Sequence, residues 1–109
     1  MDVETLREEV LKFGSVDEGF PFGEDTLVFK VNKKIFLLVS LTSNPLQFNV
    51  KCEPGKAMEL REEHPDTILP GYHMNKKHWN TIIVDGNLPG KMLLEMIKDS
   101  YQLVKRKKG

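Results

Sequence analysis

The sequence predicts an α+β fold: two layers, with helices packed on one face of a curved antiparallel β-sheet, in the order helix, strands, helix, strand, helix. Three observations carry that prediction. Apolar residues recur at spacings of three and four over residues 3–13, alternate over residues 26–31 and 46–51 on either side of a continuous apolar run, and return to the helical spacing over residues 93–104.

The first helix places Val3, Leu6, Val10 and Phe13 on one stripe, and Gly14 can end it. Val16 to Pro21 alternates but contains Gly19 and Pro21, which reads as a short or edge strand. From Thr26 the pattern is cleaner: Leu27, Phe29 and Val31 point one way, and Thr26, Val28 and Lys30 the other. Asn32-Lys33 then supplies a tight hairpin turn, because Asn tolerates positive φ. Ile35 to Val39 is an unbroken apolar run, as expected of a central strand. Asn44-Pro45 breaks it. Leu46, Phe48 and Val50 alternate with Gln47, Asn49 and Lys51, so one face of the sheet is expected to be wet.

Glu53-Pro54 opens a second helix in which Ala57 and Leu60 face the core, and His64-Pro65 stops it. Asp66 to Tyr72 reads as a loop. Trp79 to Val84 is the next strand, and its Trp is expected as a core anchor, buried between the sheet and the helices. Asp85-Gly86-Asn87 turns the chain into a last helix from about Pro89, with Leu93, Met96, Ile97, Tyr101 and Val104 on its apolar stripe.

The 109 residues suffice for one domain with its own core, so a single domain over residues 1–109 is expected. Sixteen basic residues balance sixteen acidic ones, which argues against an obligate nucleic-acid binder. The balance hides a polarity: residues 1–25 carry eight acids against Arg7 and Lys12, a net −6, and the remainder carries +6. Such a molecule can steer an anionic partner to its basic side. One Cys, Cys52, excludes an internal disulfide and fits a reducing, cytoplasmic setting. No apolar run reaches the roughly 20 residues that would span a bilayer, so no membrane association is expected.

Taken together, Pro21-Phe22-Gly23, Lys34-Ile35-Phe36, Val50-Lys51 with Pro54 and Ala57, and Pro70-Gly71-Tyr72-His73-Met74-Asn75-Lys76-Lys77-His78-Trp79 identify a resemblance. Asp85-Gly86 and Ser100-Tyr101-x-Leu103-Val104 complete it. The chain resembles the MmcQ/YjbR-like family of small bacterial proteins over almost its whole length. The resemblance implies a fold like that of the type III secretion chaperones and a double-wing mode of DNA binding in which β-hairpins contact the duplex.

The residues themselves suggest where such contacts would fall. His73, Asn75, Lys76, Lys77, His78 and Asn80 concentrate cations and hydrogen-bonding groups ahead of a strand, as phosphate recognition requires. Lys30, Lys33, Lys34 and Lys51 lie on the first hairpin and its neighbour, the candidate first wing. Edge-strand lysines also serve against aggregation. Lys105 to Lys108 suit a helix C-terminus through the helix dipole alone. His64, His73 and His78, even with Cys52 or Asp66, have no zinc-like spacing, and Cys52 has no nucleophile motif around it. The expectation is therefore a non-enzymatic domain without metal or cofactor, plausibly monomeric, that binds DNA weakly and without sequence preference. The alternative is a module that receives a protein or peptide on its open sheet face.

Overall fold

A computed structural model describes residues 1–71 and 74–106. Among them the chain runs through α1 (Val3–Leu11), β1 (Val16–Gly19), β2 (Thr26–Val31), β3 (Lys34–Ser40), β4 (Leu46–Lys51), α2 (Pro54–Glu63), β5 (Ile68–Pro70), β6 (Trp79–Val84) and α3 (Gly90–Arg106). The strands form one antiparallel sheet in the order β1-β2-β3-β4-β6-β5. The α+β reading holds. The expected loop at 66–72 contains the strand β5, which three residues ending in Pro cannot announce by periodicity. It exists because β6 offers Ile68, Leu69 and Pro70 the partners Ile82, Thr81 and Asn80.

Local chemistry sets the ends of the elements. The Asp2 carboxylate caps α1 by accepting the Thr5 amide at 2.8 Å, and Gly14 leaves the helix with φ +91. Asn32 and Lys33 both adopt positive φ, 53 and 66, the type I′ turn whose twist matches a two-residue hairpin. A β-bulge beside Phe29 and Lys30 shifts the β2–β3 register just before that turn. Pro54 starts α2, and the Glu53 side chain makes no capping hydrogen bond to it.

Strand alternation sorts the side chains. Leu27, Phe29 and Val31 of β2, Leu37 and Val39 of β3, Phe48 and Val50 of β4 and Ile82 of β6 join Leu6, Val10, Leu93, Ile97 and Tyr101 in one core between sheet and helices. The Tyr101 ring meets Phe36 edge-on at 5.3 Å and Phe13 at 5.1 Å, while its hydroxyl donates toward the Gly14 carbonyl at 2.8 Å. Phe13 thus reaches the core from beyond the end of α1, tying that helix to α3.

Trp79 departs from expectation. Even-numbered positions of β6 face the helices, so Trp79, Thr81 and Ile83 face away from them. Trp79 is half-buried on the open face and no part of the core. The apolar strand around it pointed to burial, but period two put the ring on the other side.

Candidate nucleic-acid interface

Antiparallel pairing brings the ends of alternate strands together. The turn between β2 and β3, the last residue of β4, the first of β6 and the last of β5 all lie at one end of the sheet. That end therefore collects Lys33 and Lys34 from the hairpin, Lys51 from β4, and the 75–78 turn carrying Lys76 and Lys77 just before β6. Two strand spacings, roughly 10 Å, separate β3 from β6 across the sheet. The basic C-terminal turn of α3 joins them, because the Asn32 side-chain Nδ2 donates to the Lys105 carbonyl at 3.5 Å. Lys30, Lys33, Lys76 and Lys77 make no ion pair among the described residues. The opposite end holds the acidic Glu24, Asp25, Glu62, Glu63, Asp66 and Asp85, in loops and at the end of α2. Asp17, opposite Lys30, and Glu53, just after β4, also lie at the lysine end, so the chain of zero net charge is polar along its strands without being free of acids there.

The 75–78 turn is built by its own residues. The Asn75 carboxamide oxygen accepts the Lys77 amide at 3.0 Å, and its carbonyl accepts the amides of His78 and Trp79 at 3.1 and 3.0 Å. That Asx turn leaves Lys76 and Lys77 exposed. Asn75 has a structural use for the group expected to meet a ligand. The half-buried His78 lends its carbonyl to the Cys52 amide at 2.7 Å, extending the β4–β6 ladder by one bond.

Asn80 is a correction. Only 1% exposed, it faces the helices, and its Oδ1 accepts from Arg61 Nε of α2 at 2.7 Å. A second guanidinium nitrogen donates to the Lys76 carbonyl. Arg61 therefore clamps the base of the turn from behind, and Asn80 belongs to that clamp and not to a binding surface. The sequence offered no sign of this pair, since the two residues lie on different elements. His73, with Tyr72, Lys107 and Lys108, lies outside the described residues.

On the open face Lys51 stands opposite Trp79 and Asn49 opposite Thr81, whose hydroxyl donates to the Asn49 carboxamide at 2.5 Å. Beside them Gln47, Leu69, Pro70, Lys76 and Thr81 line a cavity of about 310 Å³. A larger hollow of about 540 Å³ lies at the β1 edge, bordered by Asp17, Gly19, Phe20, Val28, Lys30 and Lys33. Val28 is wholly buried there although it points away from the helices. Phe20 and Phe22, 51% and 65% exposed, project from the loop after β1.

Cys52 borders a cleft of about 280 Å³ between α2 and α3, with Lys56, Asp99 and Arg106. Burial pushes its thiol above the ordinary range, opposed by the nearby Lys56 charge. That is the reverse of an activated nucleophile. Lys56 itself is held above its usual value by its hydrogen bond to Asp99, at 3.2 Å. Among the described residues no three His, Cys, Asp or Glu side chains stand together as metal ligands would, and no helix is long and apolar enough to cross a membrane.

The YjbR family model matches residues 11–103, from the end of α1 through most of α3. The chain belongs to the YjbR family. Among its relatives, YbdF of Escherichia coli O157:H7 is 37% identical over 101 residues, covering 93% of this chain and 82% of that one. YjbR of Escherichia coli K12 is 36% identical over 73 residues, 67% of this chain and 61% of that one. The crystal structure of DR2400 from Deinococcus radiodurans, a DUF419 domain, superposes with a TM-score of 0.92 at 41% identity, covering 96% of this chain and 79% of that one. A Pseudomonas syringae protein gives a TM-score of 0.78 at 25% identity, covering 95% and 99%. The Deinococcus match covers nearly the whole chain.

Proposed function

We propose that this YjbR-family chain binds DNA weakly and with little sequence preference through the lysine-bearing end of its sheet, and carries out no chemistry on it. The observation behind this reading is the meeting of the hairpin lysines and the 76–77 pair at one end of the sheet. Lysine contacts phosphate as a point charge and reads no base. Of the three arginines, Arg7 is paired with Glu18 and Arg61 is committed to Asn80 and the Lys76 carbonyl, so bidentate base readout is poorly served. The raised thiol of Cys52 speaks for a binding role over a nucleophilic one, and a free thiol suits a cytoplasmic setting.

A titration of labelled duplex across salt concentrations tests the reading. With about three to five phosphate contacts, the log–log salt slope is expected at about −3 to −4.5. Replacing Lys76 and Lys77 together by Ala flattens it by up to about two, whereas Lys91→Ala, at the far end of α3, leaves it unchanged. Absence of binding to any DNA at low salt sinks the proposal. The second reading, a protein or peptide partner, then takes over, with the exposed Phe20 and Phe22 as its first candidates.

A further inference from the structure

We infer that the DNA taken by this site is single-stranded, with an unstacked base placed against Trp79 and the cavity beside Lys76. The inference rests on the DNA reading above and specifies its substrate.

Four features of the open face converge on it. Trp79, the only Trp of the chain, is half-buried at the start of β6 on the side away from the helices. A half-buried ring on an open sheet face offers a stacking surface, which base pairs inside a duplex cannot use and exposed bases can. Its backbone is fixed: the Gly71 amide donates to the Trp79 carbonyl at 2.8 Å, and a Cβ at Gly71 would come within 2.7 Å of Trp79 Cβ. The ring therefore sits on a rigid strand pair and not on a loop.

The cavity lined by Gln47, Leu69, Pro70, Lys76 and Thr81 runs from the Lys76 end toward the middle of the sheet, and its Thr81 is the next residue of β6 after Trp79 on the same face. At about 310 Å³ it stands at the low end of small-molecule sites, which run roughly 300–1,000 Å³. Its lining sets the apolar Leu69 and Pro70 beside the side-chain amide of Gln47, a combination that suits the flat face and polar edge of a base, while the Thr81 hydroxyl is engaged with Asn49. Lys76 stands at its edge, and Lys77 follows it. Both are exposed and make no ion pair among the described residues, so a backbone phosphate meets two available cations. Lys30 lies on this face too, two strands beyond β4. Stacking ring, base-sized hollow and adjacent cations are the components of single-strand recognition.

The single Trp makes the test direct. The wild-type protein is titrated at low salt with an oligothymidine of about twelve nucleotides, with a mixed-sequence duplex of the same length, and with the matching oligouridine, reading Trp79 emission and anisotropy of a label on the nucleic acid. Quenched emission, single-stranded DNA bound about tenfold or more tighter than duplex, and about tenfold weaker binding by Trp79→Leu are expected. Leu69→Glu, which puts a carboxylate into the cavity, is expected to weaken the single strand more than the duplex. Duplex bound as tightly as the single strand, with emission unchanged, overturns the inference and leaves the DNA reading standing. No binding of any of the three overturns both, and tighter binding of the oligouridine overturns the assignment to DNA. Should Trp79→Leu fail to fold, acrylamide quenching of wild-type Trp79 with and without the oligothymidine decides. Protection supports the inference, and equal quenching overturns it.

Discussion

The Ser100 hydroxyl donates to the Phe36 carbonyl at 2.6 Å and accepts the Lys51 amide at 2.8 Å, so one side chain of α3 bridges β3 and β4 where their ladder stops. The last register pair of those strands is Leu37 with Val50, next to the β2–β3 bulge that passes over Phe36. Ser100 is wholly buried, so water cannot replace it. Ser100→Ala is expected to cost about 1–3 kcal/mol, since it strands a buried donor and acceptor together. Chemical denaturation measures it, and a loss below a few tenths of a kcal/mol contradicts the bridge.

Asn80→Ala separates the structural role of that residue from the surface role its place beside the lysines suggested. Losing the acceptor of Arg61 in a buried site is expected to lower stability by about 1–3 kcal/mol, with the salt slope of DNA binding unchanged. A flattened slope in a fully folded variant would return Asn80 to the binding surface.

Gly71→Ala meets backbone: its Cβ would stand 2.9 Å from the Trp79 carbonyl oxygen as well as 2.7 Å from Trp79 Cβ. β5 has to pull away from β6, and overpacking of this kind costs about 1–3 kcal/mol. Trp79 emission reports the displacement together with the loss of melting temperature, and an unchanged spectrum at full stability would contradict the close approach.

Lys33 occupies a left-handed turn position that glycine adopts without steric cost. Lys33→Gly is therefore expected to stabilise the hairpin by up to about 1 kcal/mol while weakening DNA binding by removing one cation. Opposite signs in the two measurements are the expected outcome. Destabilisation would contradict the turn geometry.

The Arg7 guanidinium donates to both Glu18 carboxylate oxygens, at 2.7 and 3.0 Å from Nε, and holds that carboxyl below its ordinary range, chiefly by hydrogen bonding. A lowered folded pKa gives stability that is present above the ordinary Glu value of about 4.3 and lost as pH falls through the lowered one. The melting-temperature gap between wild type and Glu18→Gln should therefore be small, because the pair is largely exposed, and should close below about pH 4. A gap that widens toward acid would reverse the sign.

The sequence by itself determined the helices, the hairpin and the helix-facing stripe of nearly every strand. Those features rest on local chemistry: Asp2 caps its own helix, Asn32 tolerates positive φ, and Leu27, Phe29 and Val31 alternate whatever lies beside them. It also held the basic clusters and the family resemblance in plain view. Tertiary structure decided what depends on residues far apart in the chain. β5 is a strand only because β6 pairs with it. Asn80 turns inward and Trp79 outward because β6 takes its register from β4, setting Asn80 against Val50 and Trp79 against Lys51, and a shift of one residue would have exchanged them. The lysines of the hairpin and of the 75–78 turn are more than 40 residues apart, and only the antiparallel order of the sheet brings them to one end.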